Sequence, residues 1–300
     1  MNKLVIHGFV IILFLSGLNT LSAQVVDSTQ IKKDLLDSLY IDEIENTNTS
    51  KKILHAEPLY IDLIRDLGAR KGEKEWNIGA GIHDKTDYNE YETLIEYEWA
   101  PVDRLGLEVE LPFTFYYPAS VDVSKDSIPQ NRLNSLKLAG QYTFLVDEKH
   151  KTSLAIGYLH EFELAPFRSY ADRKIYQSNI YNPFFIVAKR WGQNFHTLMY
   201  AGPQIFQEFN HKGIEAMWQV NSNFHYMIDG TRNFIGIEIN KEIQKDDFDM
   251  VLRPQMRVGI SNNLMIGIVT GIPLFTETRR ISSFLRLIYE PGHRQIVDKH

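Results

Sequence analysis

Residues 91–115, YETLIEYEWAPVDRLGLEVELPFTF, decide how this chain folds. In the first half Tyr91, Thr93, Ile95, Tyr97 and Trp99 alternate with Glu92, Leu94, Glu96 and Glu98. After a turn at Ala100-Pro101-Val102-Asp103-Arg104, Leu105, Leu107, Val109, Leu111, Phe113 and Phe115 alternate with Gly106, Glu108, Glu110, Pro112 and Thr114. A period of two gathers the apolar side chains on one face of each ribbon and the carboxylates on the other. Each arm is about ten residues, the length a tilted strand needs to cross a bilayer core, where ordinary strands average about five or six. Slipping the register by one residue would turn the glutamates toward lipid, at a cost of up to a few kcal/mol per charge. The stretch reads as one transmembrane β-hairpin.

The same pattern recurs downstream. A strand at 74–82 precedes the hairpin, with Trp76, Ile78, Ala80 and Ile82 on one face. Further strands are marked by Leu136–Val146, Leu154–Phe162, Tyr181–Arg190, Phe195–Phe206, Ala216–Phe224, Ile235–Ile239, Met250–Ile260, Leu264–Ile268 and Leu285–Tyr289, the sixth and seventh with a less clear alternation. That makes twelve. Connections near Pro101, 147–151, 191–194, 229–233 and 261–263 are short, and the others are mostly longer, the largest at 116–132 and 163–178. Tight turns on one side and longer loops on the other are the arrangement of outer-membrane barrels. Trp99, Phe144, Trp191, Tyr226 and Tyr289 would cluster at the periplasmic rim. A soluble sandwich explains the alternation but not the even count, strand length and loop asymmetry together. The expected fold is all-β: a 12-stranded antiparallel up-and-down transmembrane barrel with an N-terminal periplasmic helical segment.

Upstream, Lys3, the apolar run Leu4–Leu15 and Leu21-Ser22-Ala23 before Gln24 have the form of a cleaved export signal over residues 1–23. Residues 24–73 read as a periplasmic linker and amphipathic helix. Ile31, Leu35, Leu36 and Leu39 hint at a first short helix, and a polar linker follows at Asn46–Lys52. From Pro58, the stripe Leu59, Leu63, Ile64 and Leu67 with Gly68 behind it predicts a helix at the barrel mouth, either a cap or a plug and docking element. Residues 74–290 are the barrel and 291–300 a polar tail.

Composition narrows the chemistry. A net charge of −6 offers no basic surface for nucleic acid, and beyond the N-terminus no apolar run is long enough for a spanning helix. With no cysteine there is no disulfide, thiolate metal site or cysteine nucleophile. Nucleophile-elbow, phosphate-loop and zinc-helix motifs are absent, and no cofactor is expected. His55 and Glu57 lack further metal ligands nearby. His160, in phase with Ile156 and Tyr158, is the one hint of a lipid hydrolase on the outer face. The lumen is richer. Glu92, Glu96, Glu98, Glu108 and Glu110 line one wall, while Lys137, Gln141, Arg253, Arg257 and Arg286 come from the others. These charges either pair and close the barrel or form a selective constriction.

At Leu105-Gly106-Leu107-Glu108-Val109-Glu110-Leu111-Pro112-Phe113, preceded by Tyr97-Glu98-Trp99-Ala100-Pro101, the chain resembles outer-membrane barrels of the phenol meta-pathway degradation-like transporter family. Its leader end Ser22-Ala23-Gln24 is similar to those of Bacteroidota envelope proteins. The resemblance implies passage of small molecules, aromatic or apolar ones among them, and carries over no substrate residue. The expected function is a channel or conduit in the outer membrane, in contact with its lipid, inserted by the barrel-assembly machinery and taking a small-molecule solute. A non-transporting scaffold or binding barrel is the alternative, and a lipid hydrolase the third.

Overall fold

The computed structural model describes residues 28–45, 50–61, 67–85, 87–123, 128–171, 175–209, 213–245, 247–275 and 280–291. The leader at 1–23, Leu63, Ile64 and the tail beyond 291 lie outside them. Twelve antiparallel strands form a closed sheet: β1 Lys74–Asp84, β2 Tyr88–Val102, β3 Leu105–Pro118, β4 Ser135–Asp147, β5 Thr152–Leu164 and β6 Tyr176–Trp191. They are followed by β7 Phe195–Glu208, β8 Glu215–Met227, β9 Phe234–Ile243, β10 Phe248–Ser261, β11 Leu264–Pro273 and β12 Ser282–Tyr289. A short piece, Arg132–Leu133, extends β4 across a break at Asn134, where Asn134 N–H donates to Pro112 O and Asn134 O accepts from Leu164 N–H, both at 2.8 Å. Sequential strands pair all the way round and β1 pairs with β12, so no edge is left open.

The barrel is inside-out relative to a soluble protein. Ile78 and Ile95 are 52% and 44% exposed on the outer wall, while Asn77, Glu96, Glu98, Glu108 and Glu110 are buried within. That polarity is what a strand between hydrocarbon and an enclosed lumen requires. Rings gather at both ends of the outer wall. Trp76, Tyr97 and Trp99 gather toward the short turns, and Tyr91 meets Tyr117 edge-on near the long loops. The first hairpin is tighter than its sequence suggests. Its strands run through Val102, and the reversal is made by Asp103 and Arg104, the latter with φ 67°. The longest connections are 119–131 and 165–175, while the one after β1 spans only 85–87.

A helix, α1 Ser28–Glu45, lies across the short-turn mouth. Asp37 accepts from Gly230 N–H and from Asn194 Nδ2, and Glu45 pairs with Arg190 at 2.7 Å and Lys151 at 2.8 Å. The packed face is Leu36, Tyr40, Ile41 and Ile44, whereas Ile31, Leu35 and Leu39 are exposed. Of the four apolar positions seen in the sequence, only Leu36 is on the face that docks. Close by, Arg232 holds Glu290 at 2.6 Å. Burial alone would weaken the Arg232 charge, but Glu290 and Tyr40 more than offset this and hold it above the ordinary guanidinium value.

Candidate functional site

After α1 the chain does not rest on the rim. It enters the lumen. Ile53, Leu54, His55, Ala56, Leu59 and Ile61 are buried, as are Leu67 and Ala69 on the way back. On entry, His55 Nε2 sits 2.9 Å from Ser153 Oγ, and Ala56 N–H donates to His196 Nδ1 at 3.0 Å, both near the short-turn ends of their strands. Higher in the barrel, Leu59 N–H donates to Gln255 at 2.8 Å and Tyr60 N–H to Glu238 at 3.4 Å. On return, Gly68 N–H, with φ 94°, donates to Thr143 Oγ1 at 2.9 Å, and Gly72 N–H to Ala100 O at 2.8 Å. The segment is a re-entrant plug that rises to mid-barrel and comes back to start β1.

The helix expected from Pro58 is not present through Ile61, and Leu67–Gly68 form a turn. The physical reason is enclosure: the segment packs on lumen walls on more than one side, so an apolar stripe carries no helical information, and the N–H groups of Ala56, Leu59 and Tyr60 are held by side chains of the wall. Leu54, Ala56 and Leu59 pack on Met227, Phe234, Met265, Phe284 and Ile288, and Ile61 and Leu67 on Leu159, Phe184, Ile186, Leu198 and Tyr200.

The lumen candidates divide between two tasks. Across the β2–β3 ladder Glu96 opposes Glu110 and Glu98 opposes Glu108, which disfavours the pairing unless donors reach them. Lys137 Nζ lies 3.0 Å from Glu110, Arg286 Nη1 3.3 Å from Glu96, and the Asn77 amide nitrogen 2.6 Å from Glu96. Oxygens of Glu96, Glu98 and Glu108 approach within 4.8 Å of one another, close enough to share one cation. Arg253 and Arg257 serve the plug instead. The Arg253 guanidinium lies 3.3 Å from the Tyr60 ring centroid, and Arg257 Nη1 is 3.8 Å from Glu57. Gln141 is buried, and Glu92 is half-buried with His83 Nε2 at 2.9 Å. His160 is on the outer wall, between Tyr158 Oη at 3.2 Å and Asn179 Oδ1 at 2.8 Å.

Above the plug is a vestibule of about 480 Å³, floored by Tyr60 and Ile61 and walled by His83, Glu92, Lys137, Asn182, Asn240 and Arg253 among others. Its rim is made by Asp84, Lys85 and Arg280 at the long-loop ends of the strands. Tyr60 and Asn240 were not among the residues singled out from sequence. Asn240 lies two residues from Glu238 on the same face of β9, and that spacing is the signal that could have found it.

Solved structures with the same fold are outer-membrane barrels. An outer membrane channel from Pseudomonas putida F1 aligns with a TM-score of 0.61 at 14% identity, over 77% of this chain and 99% of that one. The KdgM porin aligns at 0.50 with 11% identity, over 72% and 98%. The NanC porin aligns at 0.50 with 9% identity, over 71% and 97%. Identities this low establish the fold alone. What they share with the resemblance seen at residues 97–113 is the outer-membrane barrel, not the finer family name. No curated protein sequence matches the chain. One family model covers residues 51–290, plug and barrel together, and its name spells residues 55–62 of this sequence. The chain belongs to the HAEPLYID-like family.

Proposed function

We propose that this protein is an outer-membrane conduit for small solutes, held closed by its own N-terminal segment. The observation that carries the proposal is the burial of residues 53–61 and 67–69 inside the barrel. A twelve-stranded barrel is narrow, and the segment occupies its lumen from the short-turn mouth to mid-height. The apolar outer wall supports a membrane setting, and the likeness to channel and porin barrels supports transport. In this setting the short turns and α1 face the periplasm, and the vestibule faces outward. The plug's backbone contacts to the mid-barrel wall are made to side chains and not to strand backbone, so breaking them removes no bond of the sheet. Passage then requires the segment to move aside.

Planar-bilayer conductance and liposome swelling test this with the wild-type protein and a variant in which residues 50–68 are replaced by a Gly/Ser linker of equal length. The wild type is expected to stay mostly closed and the variant to conduct steadily. If both remain closed at every voltage, the conduit reading fails and a non-transporting binding barrel takes its place.

A further inference from the structure

We infer that the vestibule is a binding site for small hydroxyl-rich solutes, uncharged or amino-bearing, and that it rejects carboxylated solutes of the same size. The inference rests on reading the vestibule as the entrance of the conduit. A volume of about 480 Å³ is within the range of small-molecule sites, roughly 300–1,000 Å³.

The wall chemistry names the ligand class. Amide side chains of Asn182, Gln204, Gln219, Asn221 and Asn240 face the space. Each offers donors and an acceptor, which is what a hydroxyl, itself donor and acceptor, can match from any side. Aromatic surface is confined to a few rings. Tyr60 lies on the floor with Phe284 edge-on at 5.7 Å and Arg253 over its ring, which leaves too little aromatic surface to enclose an apolar molecule. Asn182 and Asn240 are bonded within the wall, and a purely apolar solute offers this polar lining no hydrogen bonds in return for the water it displaces.

The charge balance is equally directed. Carboxylates outnumber lysines and arginines seven to four among the described residues of the wall. All four cations are engaged by the wall itself: Lys85 with Glu90 at 4.0 Å, Lys137 with Glu110 at 3.0 Å, Arg280 with Asp84 at 3.2 Å, and Arg253 Nε with Asn240 Oδ1 at 2.7 Å. Glu242 and Asp249 stand directly opposite each other on β9 and β10. Both belong to the acidic majority of the wall. The cavity potential is negative, and a carboxylate entering it meets repulsion.

The site is also connected to the plug. Asn240 Nδ2 donates to Asn221 Oδ1 at 3.0 Å, Arg253 Nε donates to Asn240 Oδ1, and Arg253 covers the Tyr60 ring. A solute that takes Asn240 competes for the side chain that holds Arg253 over Tyr60.

Isothermal titration of the full-length protein in an amine-oxide detergent tests the inference with four probes: maltose, a glucosamine disaccharide, a galacturonate disaccharide and 2-naphthol. At low salt the aminated sugar should bind at least about tenfold tighter than the carboxylated one, with maltose between them and no measurable binding of 2-naphthol. The variant Glu242→Gln/Asp249→Asn should shrink that ratio to about threefold or less, and Asn240→Leu should weaken all three sugars. If the variants do not fold, loss of the wild-type ratio at high salt gives the same readout. Equal affinities, tighter binding of the carboxylated sugar, preference for 2-naphthol, or a ratio unmoved by salt and substitution would each overturn it. Because binding is read without transport, a plug-less barrel that stays closed removes the conduit while leaving this result standing.

Discussion

Gly267 gives a way to unseat the plug without touching it. It faces the lumen on β11, and a Cβ placed there would lie 2.6 and 3.0 Å from the two methyl carbons of Leu59. Gly267→Ala is partly absorbed by swinging those methyls, but the branched side chain of Gly267→Val leaves no such escape and drives Leu59 out of its seat. Leu59 then loses its burial, about 1.5–3 kcal/mol. Its backbone bond to Gln255, 2.8 Å long, is lost with it, about 0.5–1.5 kcal/mol. Together these amount to about 2–4.5 kcal/mol against the closed state, a shift of roughly 30- to 2,000-fold in the population of the open one. The assay is open probability in planar bilayers across wild type, Gly267→Ala and Gly267→Val, with opening expected to rise in that order. Leu59→Ala alone should also raise opening, and adding Gly267→Ala to it should have little further effect, because the clash has been removed. A folded Gly267→Val barrel with the wild-type open probability would refute the reasoning.

Other consequences follow from individual contacts. Arg286→Met leaves Glu96 buried without its cation, and the barrel should lose about 3–5 kcal/mol in urea unfolding from lipid vesicles. Ile95→Arg places a charge on the outer wall near mid-strand and should cost about 2–4 kcal/mol in the same assay, whereas an arginine on a solvent-exposed surface would be nearly neutral. Glu45→Ala removes the partner of the buried Arg190 and an acceptor for Leu54 N–H. It should release α1 from the mouth, seen as faster proteolysis before residue 50 with the barrel intact.

The barrel was legible because its rule is local. Alternation over ten or more residues, as at Tyr91–Phe115, carries face and register together, and lipid leaves little freedom to depart from it. The strands that read poorly, β6 and β7, are explained by the plug. Their lumen faces carry Phe184, Ile186, Ala188, Leu198 and Tyr200, so both faces are apolar and the alternation fades. That fading was itself a sign that something apolar fills the lumen. The plug resisted reading for the complementary reason. Residues 53–61 are set by contacts with Ser153, His196, Glu238 and Gln255, about 100 to 200 positions away, which no local period reports. The acidic wall was visible residue by residue, and so were its cations. Which cation goes to which partner was not, since Arg253 and Arg257 turn to Tyr60 and Glu57, both on the plug.

The most direct test is a covalent lock. The chain has no cysteine, so Leu59→Cys/Gly267→Cys introduces a single pair at the point where plug and wall touch. In isolated outer membranes under oxidation the pair should form one intramolecular disulfide, and the locked protein should stay closed in bilayers until reduction restores its openings. Two cysteines that each react with maleimide but never join, or a locked protein that conducts as freely as the reduced one, would contradict a plug that closes the lumen.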